Sequence, residues 1–199
     1  MSSNARRGLT IFLAGGAILA AVAVFDYWWI GVGPTAQLAP VSIGGPFTLT
    51  DQNGKVRHAE DFKGKLSLVY FGYTFCPDAC PTALSAIGAA LDQLGPKGDE
   101  VQPLFITVDP ARDTVEGMKI YAENFHPRLI ALTGTPQETA AAARAYKVYF
   151  QKVQPKEGGD YLMDHSSYIY LIGRDGKYLA HFGTDATGDS LAAALRKYL

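Results

Sequence analysis

Cysteine is scarce in this chain. There are two in 199 residues, with four histidines. One dithiol is therefore the most sulfur chemistry available. No second histidine or glutamate stands at ligand spacing beside the candidate ligands, which speaks against a zinc hydrolase. An excess of one charge is also missing: 18 basic residues face 19 acidic ones, net −1. That excludes a nucleic-acid binder built on a basic face. Internal repeats and low-complexity tracts are absent. With 48% apolar and 19% charged residues, the chain reads as one folded domain plus an extra segment.

The extra segment is N-terminal. Leu9 to Phe25 contains no charge, Arg6 and Arg7 precede it, and Tyr27, Trp28 and Trp29 follow. As a helix it measures roughly 25 Å, the short end of a bilayer span. The arginines favour a cytoplasmic N-terminus and the aromatics suit the interface. Residues 1–30 are thus expected to form a cytoplasmic start and a single transmembrane helix. The alternative is a cleaved signal peptide, with Ala21-Val22-Ala23 as its small-residue site. An Arg- and Ser-rich leader of the mitochondrial type is absent. Residues 31–45, uncharged and rich in glycine and proline, read as a linker. Residues 46–199 are the expected globular domain.

In that domain Phe47 to Thr50 alternates as a short strand, and Asn53-Gly54 signals a hairpin. Leu66 to Phe71 is a strand covered on both faces. Ala83 to Leu94 repeats at helical spacing and stops at Gly95-Pro96. Val101 to Val108 is a second buried strand. Asp113 or Thr114 can cap a helix carrying Met118, Tyr121, Ala122 and Phe125. Leu129 to Leu132 is a short strand. Thr135-Pro136-Gln137-Glu138 opens a helix predicted to reach about Val148. Tyr149 to Val153 is a strand, and Gln154 to Asp160 a loop. Tyr168 to Ile172 and Tyr178 to Phe182 flank a hairpin turn. Ser190 to Leu199 is a closing helix. This order predicts an α/β protein with a mixed sheet and a thioredoxin-like fold, preceded by the transmembrane helix.

Both cysteines, Cys76 and Cys80, lie between the first buried strand and the first helix. As a structural disulfide they would close a loop worth only about 2 kcal/mol, against about 4.7 kcal/mol for a hundred-residue loop. Near a helix N-terminus thiolates are stabilised and reactive, which suits a redox dithiol. Thiolates are also soft ligands suited to Cu(I), with room for a third donor. His58 sits among charged residues, His126 at a helix end where a cation is favoured, and His181 inside the last strand. His165 differs: it closes a loop just before Tyr168 to Ile172, where a thioredoxin-like sheet returns beside the first helix.

Gly72-Tyr73-Thr74-Phe75-Cys76-Pro77-Asp78-Ala79-Cys80-Pro81 resembles the signature of the Sco/SenC proteins. Thr107-Val108-Asp109-Pro110-Ala111-Arg112-Asp113-Thr114 and Asp164-His165-Ser166-Ser167-Tyr168-Ile169-Tyr170-Leu171-Ile172 resemble their second and third motifs. The likeness runs from about Pro46 to Leu199. Phe75 departs from the pattern, since a histidine is common there. The resemblance implies a copper-binding metallochaperone that helps to assemble the Cu(A) centre of cytochrome c oxidase, rather than a turnover enzyme. Cys76, Cys80 and His165 then correspond to ligands for Cu(I) or Cu(II). Asp109 matches an aspartate tied to redox behaviour or partner contact; as a plain turn residue it would cap the chain before Pro110. Asp78 and Asp164 could tune the site from behind the ligands or be solvated, and Met163 is either a soft ligand or, as expected, a core residue. The implied partners are the oxidase subunit carrying Cu(A) and other periplasmic copper or thiol proteins. The implied location is a bacterial cytoplasmic membrane, single pass, with the domain on the periplasmic side. The alternative function is a thiol–disulfide oxidoreductase reducing client cysteines. His165 separates the two, because copper binding needs it and dithiol exchange does not. A peroxidase would show turnover dependent on Cys76.

Overall fold

The computed structural model describes residues 20–22, 24–25, 42–154 and 158–199. Residues 20–22 and 24–25 are helical and exposed. Among the described residues no helix is long and apolar enough to cross a membrane. Most of the expected anchor, Leu9 to Phe25, and most of the linker lie outside the described residues. A compact unit runs from Ser42 to Leu199.

Its main sheet has seven strands in the order β2-β1-β5-β4-β3-β8-β9. In chain order these are β1 (Thr48–Asp51), β2 (Val56–His58), β3 (Leu66–Gly72), β4 (Val101–Thr107), β5 (Ile130–Thr133), β8 (Ile169–Ile172) and β9 (Tyr178–Phe182). β3, β4 and β5 are parallel neighbours; the remaining pairs are antiparallel. The mixed sheet is the expected one, and β4-β3-β8-β9 forms the thioredoxin-like centre. The helices are α1 (Ala79–Leu94), α2 (Val115–Ala122), α3 (Pro136–Ala145) and α4 (Gly188–Leu195).

β3 explains why the sheet is central. Leu68, Val69, Tyr70 and Phe71 are all at most 1% exposed. Each such side chain contributes about 1.5–3 kcal/mol by leaving water. Tyr70 pairs in register with Phe105, and that face meets Tyr121 of α2 and Cys80 of α1. Phe71 and Tyr170 point the other way, onto Tyr146 just beyond α3. Helices therefore cover both faces, as the unbroken apolar run of β3 requires.

Several boundaries differ from expectation. α1 begins at Ala79, not Ala83, because Pro81 falls in the first turn, where its missing N–H leaves no bond unmade. α3 ends at Ala145, short of Val148, because Lys147 takes φ 58° and Val148 N–H turns back to the Ala143 carbonyl. α4 starts at Gly188, since Thr187 and Ser190 form a capping box. Thr114, not Asp113, caps α2, its side chain accepting from Gly117 N–H. The capping box of Thr135 and Glu138 is as expected. The largest difference is an added strand. β6 (Phe150–Val153) pairs with β7 (Leu162–His165) in a separate two-stranded sheet. His165 thus ends a strand rather than closing an irregular loop.

Candidate metal centre

β3 delivers the chain to Gly72 at the C-terminal edge of the sheet, and the loop from Tyr73 leads into α1. Cys76 lies in this loop, half-buried, while Cys80 is in the first turn of α1 and wholly buried. β7 brings His165 to the same place. The two sulfurs and a ring nitrogen of His165 all lie within 4.8 Å of one another. His165 Nε2 is 3.7 Å from Cys80 Sγ across 85 positions of sequence. Its Nδ1 lies 3.1 Å from the Ser166 carbonyl oxygen. A carbonyl only accepts, so Nδ1–H donates to it and Nε2 is left facing the sulfurs. The rings of Tyr70 and Tyr73 meet the imidazole edge-on at 6.2 and 5.9 Å.

The thiols are unlike. Cys76 is pulled down to about 4, chiefly by a hydrogen bond from the Cys80 thiol. Burial opposes this, while the backbone N–H groups of Cys80 and Asp78 assist it. Cys80 N–H lies 3.4 Å from Cys76 Sγ, so the open N-terminus of α1 is turned onto that sulfur. Cys80 moves far the other way, because it donates its proton to Cys76 and is buried. Tyr70 hydroxyl reaches Cys80 Sγ at 3.9 Å. At neutral pH the reduced site is thus one thiolate beside one thiol.

Alkylation tests this asymmetry. In the reduced protein, iodoacetamide is expected to modify Cys76 and spare Cys80, with a rate that falls only as pH drops toward about 4. A rate that instead falls as soon as pH drops below 9.0, the ordinary thiol value, would refute the shift. The linkage has a definite sign. Between pH 4 and the ordinary thiol value of 9.0, the unfolded chain binds one more proton at this position. The stabilisation is full above 9.0 and is lost as pH falls toward 4.

The supporting aspartates part company. Asp78 is the exposed N-cap residue of α1, and its carboxylate accepts from Thr82 Oγ1 at 3.3 Å. Its backbone N–H faces Cys76. Asp164 alternates on β7 between buried Met163 and half-buried His165, so it projects away from them into solvent. Asp109 is 4% exposed and pairs with Arg112 Nε at 2.5 Å. It also accepts from Tyr161 hydroxyl at 2.9 Å. It is neither solvated nor in the thiol–imidazole cluster.

Among the other histidines, His58 is exposed, its Nδ1 3.0 Å from Thr48 Oγ1. His181 is an exposed sheet-face residue, bonded to Tyr178 hydroxyl. His126 is not a favoured cation: burial, then Arg128, lower its pKa.

Asp113 is the residue that sequence reasoning undervalued. It is fully buried and does not cap α2. Its carboxylate accepts from Thr74 Oγ1 at 2.6 Å, Thr74 N–H at 3.1 Å and Thr107 Oγ1 at 2.6 Å. It ties the cysteine loop to β4. Burial raises its pKa, against these hydrogen bonds. The signal was only that Asp-Thr offers two capping residues where one suffices.

The SCO1/SenC family model matches residues 35–199. The chain belongs to the SCO1/SenC family. It is 42% identical over 152 residues to an SCO2-like protein of Rickettsia prowazekii, covering 76% of this chain and 74% of that one. The structure of Bradyrhizobium japonicum ScoI with copper bound is similar at a TM-score of 0.73 and 48% identity, covering 79% of this chain and 100% of that one. BsSco, described through its disulfide switch as a member of the Sco family of cytochrome c oxidase assembly proteins, is similar at a TM-score of 0.62 and 27% identity. There 80% of this chain and 95% of the other are covered.

Proposed function

We propose that this SCO1/SenC protein binds copper through Cys76 Sγ, Cys80 Sγ and His165, and serves assembly of the Cu(A) centre of cytochrome c oxidase. The observation that carries the reading is the convergence of those three donor atoms within 4.8 Å. Two sulfurs and one imidazole nitrogen are a donor set that suits Cu(I) and accommodates Cu(II). Cys76 enters as a thiolate already. Cys80 must release its proton, so loading is coupled to proton loss. The Nδ1–H···O=C bond from His165 to Ser166 orients the ring for binding through Nε2. The ScoI structure with copper bound supports the choice of metal. The oxidase subunit carrying Cu(A) is the proposed recipient, supported by the family description attached to BsSco.

The thiol asymmetry favours a second activity at the same site. Cys76 is a partly exposed thiolate able to attack a client disulfide. The mixed disulfide then breaks when Cys80, deprotonated, attacks Cys76. Two client thiols leave and a Cys76–Cys80 disulfide remains, so the client gains the two electrons the pair loses. The oxidised pair cannot hold copper. The chain is therefore a metallochaperone with a redox-active pair. We further propose a single-pass anchor within residues 1–30, a linker over 31–45, and residues 46–199 on the periplasmic side of a bacterial cytoplasmic membrane. The uncharged run from Leu9 to Phe25 supports it.

His165→Ala distinguishes the two activities. Copper affinity is expected to fall by more than about tenfold, while reduction of a model disulfide stays largely intact. Unchanged copper stoichiometry and affinity in this variant would sink the ligand assignment.

A further inference from the structure

His165 is carried on a hairpin outside the main sheet, so something must hold that hairpin against the cysteine loop. The side chain of Arg112 touches both. Its Nη1 donates to the Tyr161 carbonyl at 2.9 Å, directly before β7. Its guanidinium carbon lies 3.7 Å from the centre of the Tyr161 ring. On the other side it lies 4.6 Å from the ring centre of Phe75, the neighbour of Cys76. It is 5.7 Å from that of Tyr73, whose ring meets His165. Asp109 closes the circuit, accepting from Arg112 Nε and from Tyr161 hydroxyl. The backbone N–H of Met163, inside β7, also faces the Tyr73 hydroxyl.

We propose that Arg112 is a positioning residue that clamps the cysteine loop to the histidine hairpin, and so sets the approach of His165 to the thiol pair. A planar guanidinium can stack on aromatic rings while its edge donates hydrogen bonds; an ammonium group cannot do both in one geometry. Asp109 then acts through Arg112: it fixes the rotamer of the clamp and balances its charge. The consequence for copper rests on the ligand assignment proposed above, but the clamp itself is measurable without metal.

The test uses the full chain, reduced and metal-free. Arg112→Met is expected to speed amide exchange at Met163 and its β7 neighbours by about tenfold or more, because a charged hydrogen bond and the stack are lost. Exchange in β3 stays unchanged. Since Asp109 would be left buried and unpaired, Asp109→Asn with Arg112→Met is the companion variant. It is expected to recover thermal stability and keep the loosened β7. Arg112→Lys returns the charge and is expected to leave β7 loose as well. Loaded with Cu(II), all three should show weakened nitrogen hyperfine coupling in electron paramagnetic resonance. Normal β7 protection in the double variant, or in Arg112→Lys, would overturn the clamp and leave Arg112 as a mere counter-ion. A wild-type copper complex without an imidazole signal would instead refute the ligand assignment, and the clamp would stand or fall on exchange alone.

Discussion

Replacing Gly72 by alanine is expected to cost about 1–3 kcal/mol of stability, as overpacking does, and to cut copper affinity by about a hundredfold, more than the tenfold at which loss of a single outer contact begins. Gly72 ends β3, where the sheet hands the chain to the cysteine loop. A methyl there would lie 2.5 Å from Cys80 Sγ, 2.9 Å from Phe105 Cε2 and 3.2 Å from Tyr70 Cε1. None of these can retreat freely. Cys80 is fixed by the first turn of α1, and the two rings are wholly buried and stacked together. The sulfur is the nearest of the three obstacles, so strain falls first on the donor atom itself. The separation of Cys80 Sγ from His165 Nε2, 3.7 Å, is then expected to change. Urea unfolding and a copper competition titration measure the two effects. A variant that lost stability yet kept wild-type copper affinity would show that the sheet, not the sulfur, absorbs the methyl.

Asp113→Ala is the second large effect, with an expected loss of about 3–5 kcal/mol, since three neutral donors each lose their acceptor at about 1–3 kcal/mol apiece. The carboxylate serves three donors from two elements, and alanine leaves all three without that acceptor, in buried or half-buried positions. Thr107 Oγ1 would keep one role, accepting from Asp109 N–H at 2.9 Å. Thr74 would keep none of the bonds Asp113 gave it. The cysteine loop would then lose its tie to β4 and be held by Gly72, by α1 and by the contacts of Tyr73 and Phe75 with Arg112, so copper release should quicken as stability falls. Asp113→Asn keeps the shape and part of the bonding, because threonine hydroxyls can turn to accept from an amide. It should recover most of the stability. Denaturant unfolding of the three proteins decides it: equal stability of Ala and Asn variants would mean that the charge, not the network, matters.

Much of the fold could be read along the chain because its signals are local. An apolar run without alternation is a strand covered on both faces, and Leu66 to Phe71 is one. Thr135-Pro136-Gln137-Glu138 starts a helix through bonds within four residues. The misread parts depend on distant neighbours. Leu162–His165 has weak strand character; it becomes β7 because β6 lies beside it. Pro81 looks like the residue after which the helix should start, yet it fits the first turn of a helix begun at Ala79. Asp113 looks like a cap, but Thr114 serves that purpose, and the aspartate is taken into a network reaching 39 positions back to Thr74. Asp109 was open between a turn residue and a functional one, and only its contact with Arg112 and Tyr161 shows what it touches.

By itself the sequence determined the chemistry on offer: two thiols at a strand–helix join, one histidine at a telling place downstream, and a mixed α/β order of elements. Those are properties of residue type and of spacing along the chain. The tertiary structure alone decided which thiol is the thiolate. That follows from Cys80 being buried and donating to Cys76, while the N-terminus of α1 faces Cys76. It alone placed His165 Nε2 toward the sulfurs, through a strand pairing and a carbonyl contact that no local pattern encodes. It also made Gly72, Asp113 and Arg112 part of the site, because steric limits, buried hydrogen bonds and ring stacking exist only between residues that folding brings together.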